Sequence, residues 1–172
     1  DYAEPVVDAI TSEGGEVLKF MGDGILAIFG ERKSDEACAA ALRAWGQASA
    51  AALAISSARA ARGAAITQPY LALHEGEVLY GNFGSRTRLD FTVLGPAVNE
   101  AARIAALCRS LEQTLIISDA FAKTCGNLRA QLIGLGRYAL RGIGRAQDLY
   151  TLDPDIAADE VVAGKYERYL AS

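Results

Sequence analysis

The segment GGEVLKFMGDGILAIFG, residues 14–30, places one carboxylate between two glycines. Because glycine has no side chain, Asp23 between Gly22 and Gly24 is accessible and other groups can approach the backbone closely. A carboxylate in such a turn suits a hard cation with oxygen ligands, Mg²⁺ or Mn²⁺, that bridges to phosphates. The alternative is that Asp-Gly serves only the positive φ angles of a hairpin turn.

Lys19 lies four residues before Asp23 in an otherwise apolar strand. Its ammonium can donate a hydrogen bond to N1 of adenine, which is an acceptor, whereas N1 of guanine carries a proton and favours a carboxylate. The alternation of a strand predicts that Lys19 and Met21 face away from Leu18 and Phe20. The alternative is a lysine whose stem covers apolar surface while its ammonium stays in water.

The segment LDFTVLGPAVNEAARI, residues 89–104, supplies an amide and a guanidinium four positions apart. On a helix Asn99 and Arg103 share one face, and they suit an anion because a guanidinium binds phosphate oxygens as charge develops. Thr92, on the preceding strand, offers a hydroxyl that could accept from an adenine amino group. The alternative is a helix with a polar outer stripe, in which Arg103 pairs with Glu100.

These side chains need elements that position them, and the chain alternates helices with strands. Predicted helices cover 2–12, 34–62, 96–108 and 119–124, and predicted strands cover 16–20, 25–29, 68–74, 77–83, 89–94 and 114–118, with short strands after 132. MGDG joins the first two strands as a hairpin, and Glu75-Gly76 is expected to separate a second strand pair, 68–74 and 77–83. This order predicts an α+β sandwich with one mixed sheet and helices packed mainly on one face.

Composition and charge narrow the function classes. The chain has 172 residues, of which 51% are hydrophobic and 22% charged, which is typical of one globular domain. A net charge of −4 provides no basic stripe for nucleic acid. No stretch is typical of a signal peptide or membrane span. Three widely spaced cysteines and one histidine argue against disulfides and zinc, and indicate a reducing compartment, the cytoplasm.

In order and spacing, the two motif segments resemble the catalytic domain of class III nucleotidyl cyclases. The resemblance covers residues 1–152 and leaves 153–172 as a C-terminal tail. It implies a ferredoxin-like nucleotidyl cyclase sandwich, with a mixed, mainly antiparallel sheet and helices packed on it. The sequence begins inside the family's first helix, so the resemblance also implies that the first strand and the start of that helix are missing here.

The resemblance assigns a role to each candidate residue. Asp23 matches the second of two aspartates that hold two metal ions, Mg²⁺ or Mn²⁺. Lys19 matches the base-selecting lysine of adenylyl cyclases and Thr92 its partner, positions where guanylyl cyclases typically carry Glu and Cys. Asn99 matches the residue that orients the ribose, and Arg103 the one that stabilises charge in the transition state.

Two departures from the family pattern affect the ligand set. The first metal aspartate of the family precedes the first helix, and no residue of this sequence matches it. In LRGIG, Arg141 stands where the family usually has a lysine that binds the terminal phosphates. An arginine keeps the charge but changes reach and geometry.

The resemblance implies an adenylate cyclase that converts ATP to 3′,5′-cyclic AMP and pyrophosphate. Its active sites would form between two chains arranged head to tail in a homodimer, and an N-terminal regulatory domain could act on that arrangement. The alternatives are a non-catalytic cyclase-like domain that binds nucleotide or partners, and a guanylate cyclase. We assign His74 a structural role, and expect Tyr70, Tyr80 and Phe83 in the core or a dimer surface.

Overall fold

The structure is a computed structural model that describes residues 2–30, 33–85 and 88–153, with 82–85 and 88–92 described by their backbone alone. The helices are α1 (Ala3–Ser12), α2 (Ser34–Ala60), α3 (Pro96–Leu107), α4 (Asp119–Thr124) and a 3-10 helix (Gly126–Gln131). The strands are β1 (Glu16–Met21), β2 (Gly24–Ile28), β3 (Leu71–Leu73), β4 (Leu79–Ser85), β5 (Arg88–Leu94), β6 (Leu115–Ser118), β7 (Leu132–Tyr138) and β8 (Gln147–Leu152). The predicted tail beyond Asp153 lies outside the described residues.

The strands form an α+β fold with mainly antiparallel pairing, as predicted, but their hydrogen bonds divide them into three sheets rather than one. The hairpins β1–β2 and β4–β5 each form a two-stranded sheet, and β3–β6–β8–β7 forms a four-stranded sheet. Only the β3–β6 pair is parallel. The two hairpins are therefore positioned by side-chain packing rather than by a continuous backbone ladder.

The expected pairing of 68–74 with 77–83 is wrong. Strand β3 pairs with β6, and β4 pairs with β5. Gly76 is not a hairpin turn; it lies close to the start of α3, where a Cβ would come within 2.8 Å of the Ala97 side chain. The glycine thus marks a close approach between chain segments, which sequence alone does not distinguish from a turn.

Strand β6 forms the centre of the core and is buried on both faces. Leu115 and Ile117 pack in one cluster with residues of α2 and α4, whereas Ile116 packs in a second cluster with Ile104 and Cys108 of the α3 region. Helices therefore cover both faces of the four-stranded sheet, which corrects the expectation of one face. Full burial of each of these aliphatic side chains contributes about 1.5–3 kcal/mol.

Helix α2 packs closely because its buried surface is made mainly of small side chains. Its buried residues are Cys38, Ala39, Ala40, Ala41, Leu42, Ala44, Gly46, Ala48 and Ala52. Helix α1 lies against α2 and is joined to it through Glu13, which accepts from Arg43 Nε and Gln47 Nε2, each at 2.7 Å. Across the described segments, no helix is long and apolar enough to cross a bilayer.

Candidate active site

Asp23 lies in the turn that joins β1 to β2. The ladder ends with Met21 facing Gly24, so Gly22 and Asp23 make the turn. Gly22 has a φ of 65°, and a Cβ there would have nothing within 4 Å. The Asp23 side chain is exposed and forms no hydrogen bond or ion pair within the described chain. The structure thus confirms an accessible carboxylate in a bare turn.

Lys19 lies on β1 opposite Leu26, just after an irregularity in the ladder between Val17 and Lys19. The expected alternation of buried and exposed residues is absent, because Lys19 is exposed together with Phe20 at 61% and Met21 at 47%. A bulge changes the side-chain alternation that a regular strand would impose. Among the described residues Lys19 has no carboxylate or carbonyl partner, so its ammonium is available to a ligand.

Thr92 lies on β5, where its backbone faces Gly81 of β4. The Thr92 side chain lies outside the described part, but Gly81, which faces it across the ladder, is described. Gly81 has a φ of 154°, and a Cβ built there would contact nothing within 4 Å. Among the described atoms, none lies close to the Gly81 position that faces Thr92 across the ladder.

Asn99 and Arg103 lie on the exposed face of α3, opposite the fully buried Ile104 and Cys108. The alternative pairing of Arg103 with Glu100 is not formed, because Glu100 accepts instead from Gln147 Nε2 at 2.6 Å. In the described chain Arg103 has no ion-pair partner. The amide and the guanidinium thus share one accessible helix face.

Helix α3 begins directly after β5, and the backbone at their junction is restricted. Gly95 has a φ of 153°, and a Cβ there would lie 3.1 Å from the Glu77 carbonyl oxygen. Pro96 follows at the first position of the helix, where its missing N–H is tolerated. This tight junction fixes the start of α3, and hence Asn99 and Arg103, relative to the end of the Thr92 strand.

Arg141 lies in a turn after β7, beside the buried Leu140. Ile143 N donates to the Leu140 carbonyl at 3.0 Å, and Gly142 takes a φ of 79°. The Arg141 side chain is exposed and unpaired within the described residues. The turn thus presents the Arg141 guanidinium at the surface.

The structure brings the candidate residues together in part. Strand β1 contacts β5, so the strands of Lys19 and Thr92 are neighbours, and Asn99 and Arg103 share a face of α3. Every candidate with a described side chain is exposed. The candidates thus form an open surface rather than an enclosed cavity within the described chain.

A metal site fits this surface only in part. Asp23 is a suitable oxygen ligand, but the described residues contain no group of three His, Cys, Asp or Glu side chains that could hold an ion. Mg²⁺ sites use one or two carboxylates together with substrate phosphates, so Asp23 suits part of a two-metal set. The described residues thus provide one candidate metal ligand and no complete set.

Two polar pairs beside the site have no clear signal in the sequence. Tyr80 Oη of β4 donates to Glu16 Oε2 of β1, joining the two hairpins. His74 Nδ1 lies 2.9 Å from Ser118 Oγ, which also accepts from Phe121 N at the start of α4. Burial lowers the pKa of His74 below its usual range, and Glu100 and Glu75 oppose the shift. The structural role expected for His74 agrees with this half-buried position beside Ser118, the N-cap of α4.

Known proteins of similar structure and sequence show which group of proteins shares this fold. The chain is similar to a bacterial light-regulated adenylyl cyclase of known structure, with a TM-score of 0.71, 28% identity, and coverage of 88% of this chain and 43% of that one. It is also 24% identical over 155 residues to "Adenylate cyclase 1" of Rhizobium meliloti, covering 87% of this chain and 23% of that protein. The fold is that of the class III nucleotidyl cyclase catalytic domains. No protein-family model matches it.

The cyclase family includes enzymes named for different nucleotides. The guanylyl cyclase Cya2 matches this domain with a TM-score of 0.68 at 22% identity, covering 91% of this chain and 80% of that one. At that identity the likeness concerns the fold alone. The cyclase domain spans 19% to 24% of the length of the curated relatives it matches. The shared fold therefore leaves the substrate of this chain open.

Proposed function

We propose that this domain is an adenylate cyclase, which forms 3′,5′-cyclic AMP and pyrophosphate from ATP. The observation that carries the proposal is Lys19, whose exposed ammonium has no partner among the described residues, on a strand that contacts the strand of Thr92. An ammonium donates to adenine N1, whereas the protonated N1 of guanine would repel it. Gly81, which has no side chain, faces Thr92 across the ladder, and this supports a base lying beside β5.

The chemistry forms one bond and breaks another at the α-phosphorus. The ribose 3′-oxygen attacks, its proton leaves, and the bond to the bridging oxygen of pyrophosphate breaks. Charge builds on the α-phosphate oxygens, where the Arg103 guanidinium is suited to stabilise it. Asn99, one turn earlier on the same face of α3, would hold the ribose so that its hydroxyl points at phosphorus.

Two further residues complete the role of this chain. The exposed guanidinium of Arg141 would bind the terminal phosphates, which leave as pyrophosphate. The Asp23 carboxylate would hold Mg²⁺ or Mn²⁺; when bound, such ions lower the cost of the charge on the phosphates. The second carboxylate of a two-metal set is not assigned to any described residue.

We extend the proposal to a head-to-tail homodimer in the cytoplasm. The hairpins expose a group of large apolar side chains, Phe20, Met21, Val78, Leu79, Tyr80 and Leu94. Exposed apolar surface of this kind is typical of an interaction site, and its position beside Lys19 suits a partner chain that completes the site. The three cysteines are free and buried, as expected of proteins in a reducing compartment. An N-terminal regulatory domain that acts through the dimer contact remains part of the proposal.

A guanylate cyclase is the second candidate, because the guanylyl cyclase Cya2 has the same fold. Lys19 argues against it on hydrogen-bonding grounds. A non-catalytic cyclase-like domain is the third, and it gains weight only if the whole protein lacks the first metal aspartate. All three candidates make different predictions for the same assay.

The test is cyclic nucleotide formation by protein expressed from its whole reading frame, with ATP and GTP in parallel and Mn²⁺ or Mg²⁺ supplied. The adenylate cyclase proposal predicts cyclic AMP from ATP, at a rate that exceeds cyclic GMP formation by at least ~10-fold, about 1.4 kcal/mol of base discrimination. Preference for GTP supports the second candidate. No product from a folded, dimeric protein supports the third.

A further inference from the structure

The candidate base-selecting residues lie on two hairpins that share no backbone ladder. Lys19 is on the β1–β2 hairpin, and Thr92 is on the β4–β5 hairpin. A purine edge needs donor and acceptor at a fixed separation, because a hydrogen bond weakens steeply beyond its normal length. The separation of these two residues therefore depends on side-chain contacts between the hairpins.

One such contact joins the strand of Lys19 to the hairpin that carries Thr92. Tyr80 Oη on β4 donates to Glu16 Oε2 on β1. Glu16 begins the strand that carries Lys19 three residues later, and Tyr80 directly precedes Gly81, which faces Thr92 across the ladder. The bond thus connects β1 and β4 three residues from Lys19 and one residue from Gly81.

The chemistry of the bond fits a positioning role. A glutamate carboxylate accepts only, so the phenol must donate, and a hydrogen bond to a charged acceptor is about twice as strong as a neutral one. Both side chains are exposed in the single chain, where water weakens the bond. A partner chain that covers the hairpins would exclude water and strengthen it.

We infer that Tyr80 and Glu16 are a positioning pair that sets the distance between Lys19 and Thr92 and thereby contributes to selection of ATP over GTP. The inference rests on the proposed function. Neither residue touches the nucleotide in this account. Tyr80 acts by holding β4 and β5 against β1, and Glu16 acts as its acceptor.

The test compares Tyr80→Phe, Glu16→Ala and the double variant for kcat and KM with ATP and with GTP. Each single change should lower kcat/KM for ATP by ~3–10-fold, mostly through KM, and lower the ATP:GTP ratio by a similar factor. The double variant should lose no more than either single variant, because both remove the same bond. Glu16→Gln, which keeps an acceptor oxygen, should retain at least about half of the selectivity.

Controls separate positioning from folding and dimerisation. Tyr2→Phe removes a comparable phenol, bonded to Ser56 Oγ at 3.1 Å and Thr67 N at 3.2 Å, and should leave the ATP:GTP ratio unchanged. Tyr80→Phe keeps the ring, so its dimer affinity by sedimentation should match wild type. A loss of activity that follows loss of dimer would overturn the inference.

Binding of fluorescent ATP and GTP analogues, measured alongside turnover, distinguishes failure of the positioning role from failure of the proposed function. A wild-type protein that selects ATP, with Tyr80→Phe selecting equally well, removes the positioning role and leaves the proposed function intact. The same conclusion follows if the losses of the two single variants add in the double variant. A wild-type protein that neither binds nor converts either nucleotide overturns both.

Discussion

The four-stranded sheet and the two hairpins differ in what covers their faces. Every residue of β6 is buried, between the α2 and α4 cluster on one face and the α3 cluster on the other. In β1 the last three residues, Lys19, Phe20 and Met21, are all exposed. Within the part of the chain that the structure describes, the core is thus covered, whereas the surface that carries Lys19 and Asp23 is exposed.

This difference indicates that the buried sheet residues mainly determine stability, whereas the exposed hairpin residues mainly serve function. Exposed charged residues without internal partners add little to stability, whereas buried β6 side chains contribute strongly. Substitutions in the hairpins should therefore change activity and leave folding intact, and substitutions in β6 should do the reverse. Paired substitutions in the two regions test this separation of stability from activity.

Asp23→Asn should lower cyclic nucleotide formation at least ~100-fold while the thermal midpoint stays within about 2 °C of wild type. The amide keeps the shape of the side chain and removes the charge that would hold a cation. Asp8→Asn, an exposed acid on α1, is the matched control and should keep full activity. Equal losses in both variants would contradict the role of Asp23.

Ile116→Ala should lower the free energy of unfolding by about 2–5 kcal/mol, because it empties a site at the centre of the core. Ile133 of β7 is 41% exposed, so Ile133→Ala should cost much less. Urea unfolding followed by circular dichroism measures both. Similar losses at the two positions would show that the four-stranded sheet is not the stabilising centre.

Arg103→Ala should reduce kcat by ~100-fold with a small change in KM, because its guanidinium acts on charge that appears in the transition state. Arg109→Ala, an exposed arginine just beyond α3, is the control. Single-turnover kinetics over a range of ATP concentrations distinguish a slower chemical step from weaker ATP binding. A change confined to KM would assign Arg103 to ground-state binding instead.

Lys19→Glu should shift the ATP:GTP ratio of kcat/KM toward GTP by ~10-fold or more, since a carboxylate accepts from guanine N1. Its folding should be unaffected, because the ammonium is exposed. Lys33→Glu, which makes the same charge change at an exposed position before α2, controls for net charge. An unchanged ratio in Lys19→Glu would remove the support for adenine selection.

The smallest effect concerns His74, the one histidine of the chain. Burial lowers its pKa in the folded state, below the value of about 6.5 in an unfolded chain. The unfolded chain therefore binds more protons between these two pKa values, and stability falls as pH falls below about 6.5. His74→Asn, which can still accept from Ser118, should flatten this part of the stability profile. An unchanged slope would exclude His74 as its source.

Much of the fold followed from local sequence signals. The Asp-Gly turn, the Gly95-Pro96 helix start and the α4 boundaries agree with the structure. These features depend on backbone preferences of neighbouring residues, which the sequence displays directly. The pairing of β3 with β6 joins residues 71–73 to 115–117, and no local preference specifies such a distant partner.

The sequence predicts candidate residues for the site but not their surroundings. Asp23, Lys19, Asn99 and Arg103 were proposed from side-chain chemistry and spacing, and the structure leaves all four exposed. The irregularity that exposes Phe20 depends on the β2 register. The Tyr80–Glu16 bond joins positions 64 residues apart, which no sequence pattern indicates.

The most direct test of the account is to mix two inactive variants. Asp23→Asn and Arg103→Ala each disable a different side of a site shared between chains. If the exposed surface is completed by a second copy, a refolded equal mixture should recover about a quarter of wild-type cyclic AMP formation, because half the dimers regain one of two sites. Activity of the mixture no greater than the mean of the separate variants, with mixed dimers confirmed by mass, would contradict a shared active site.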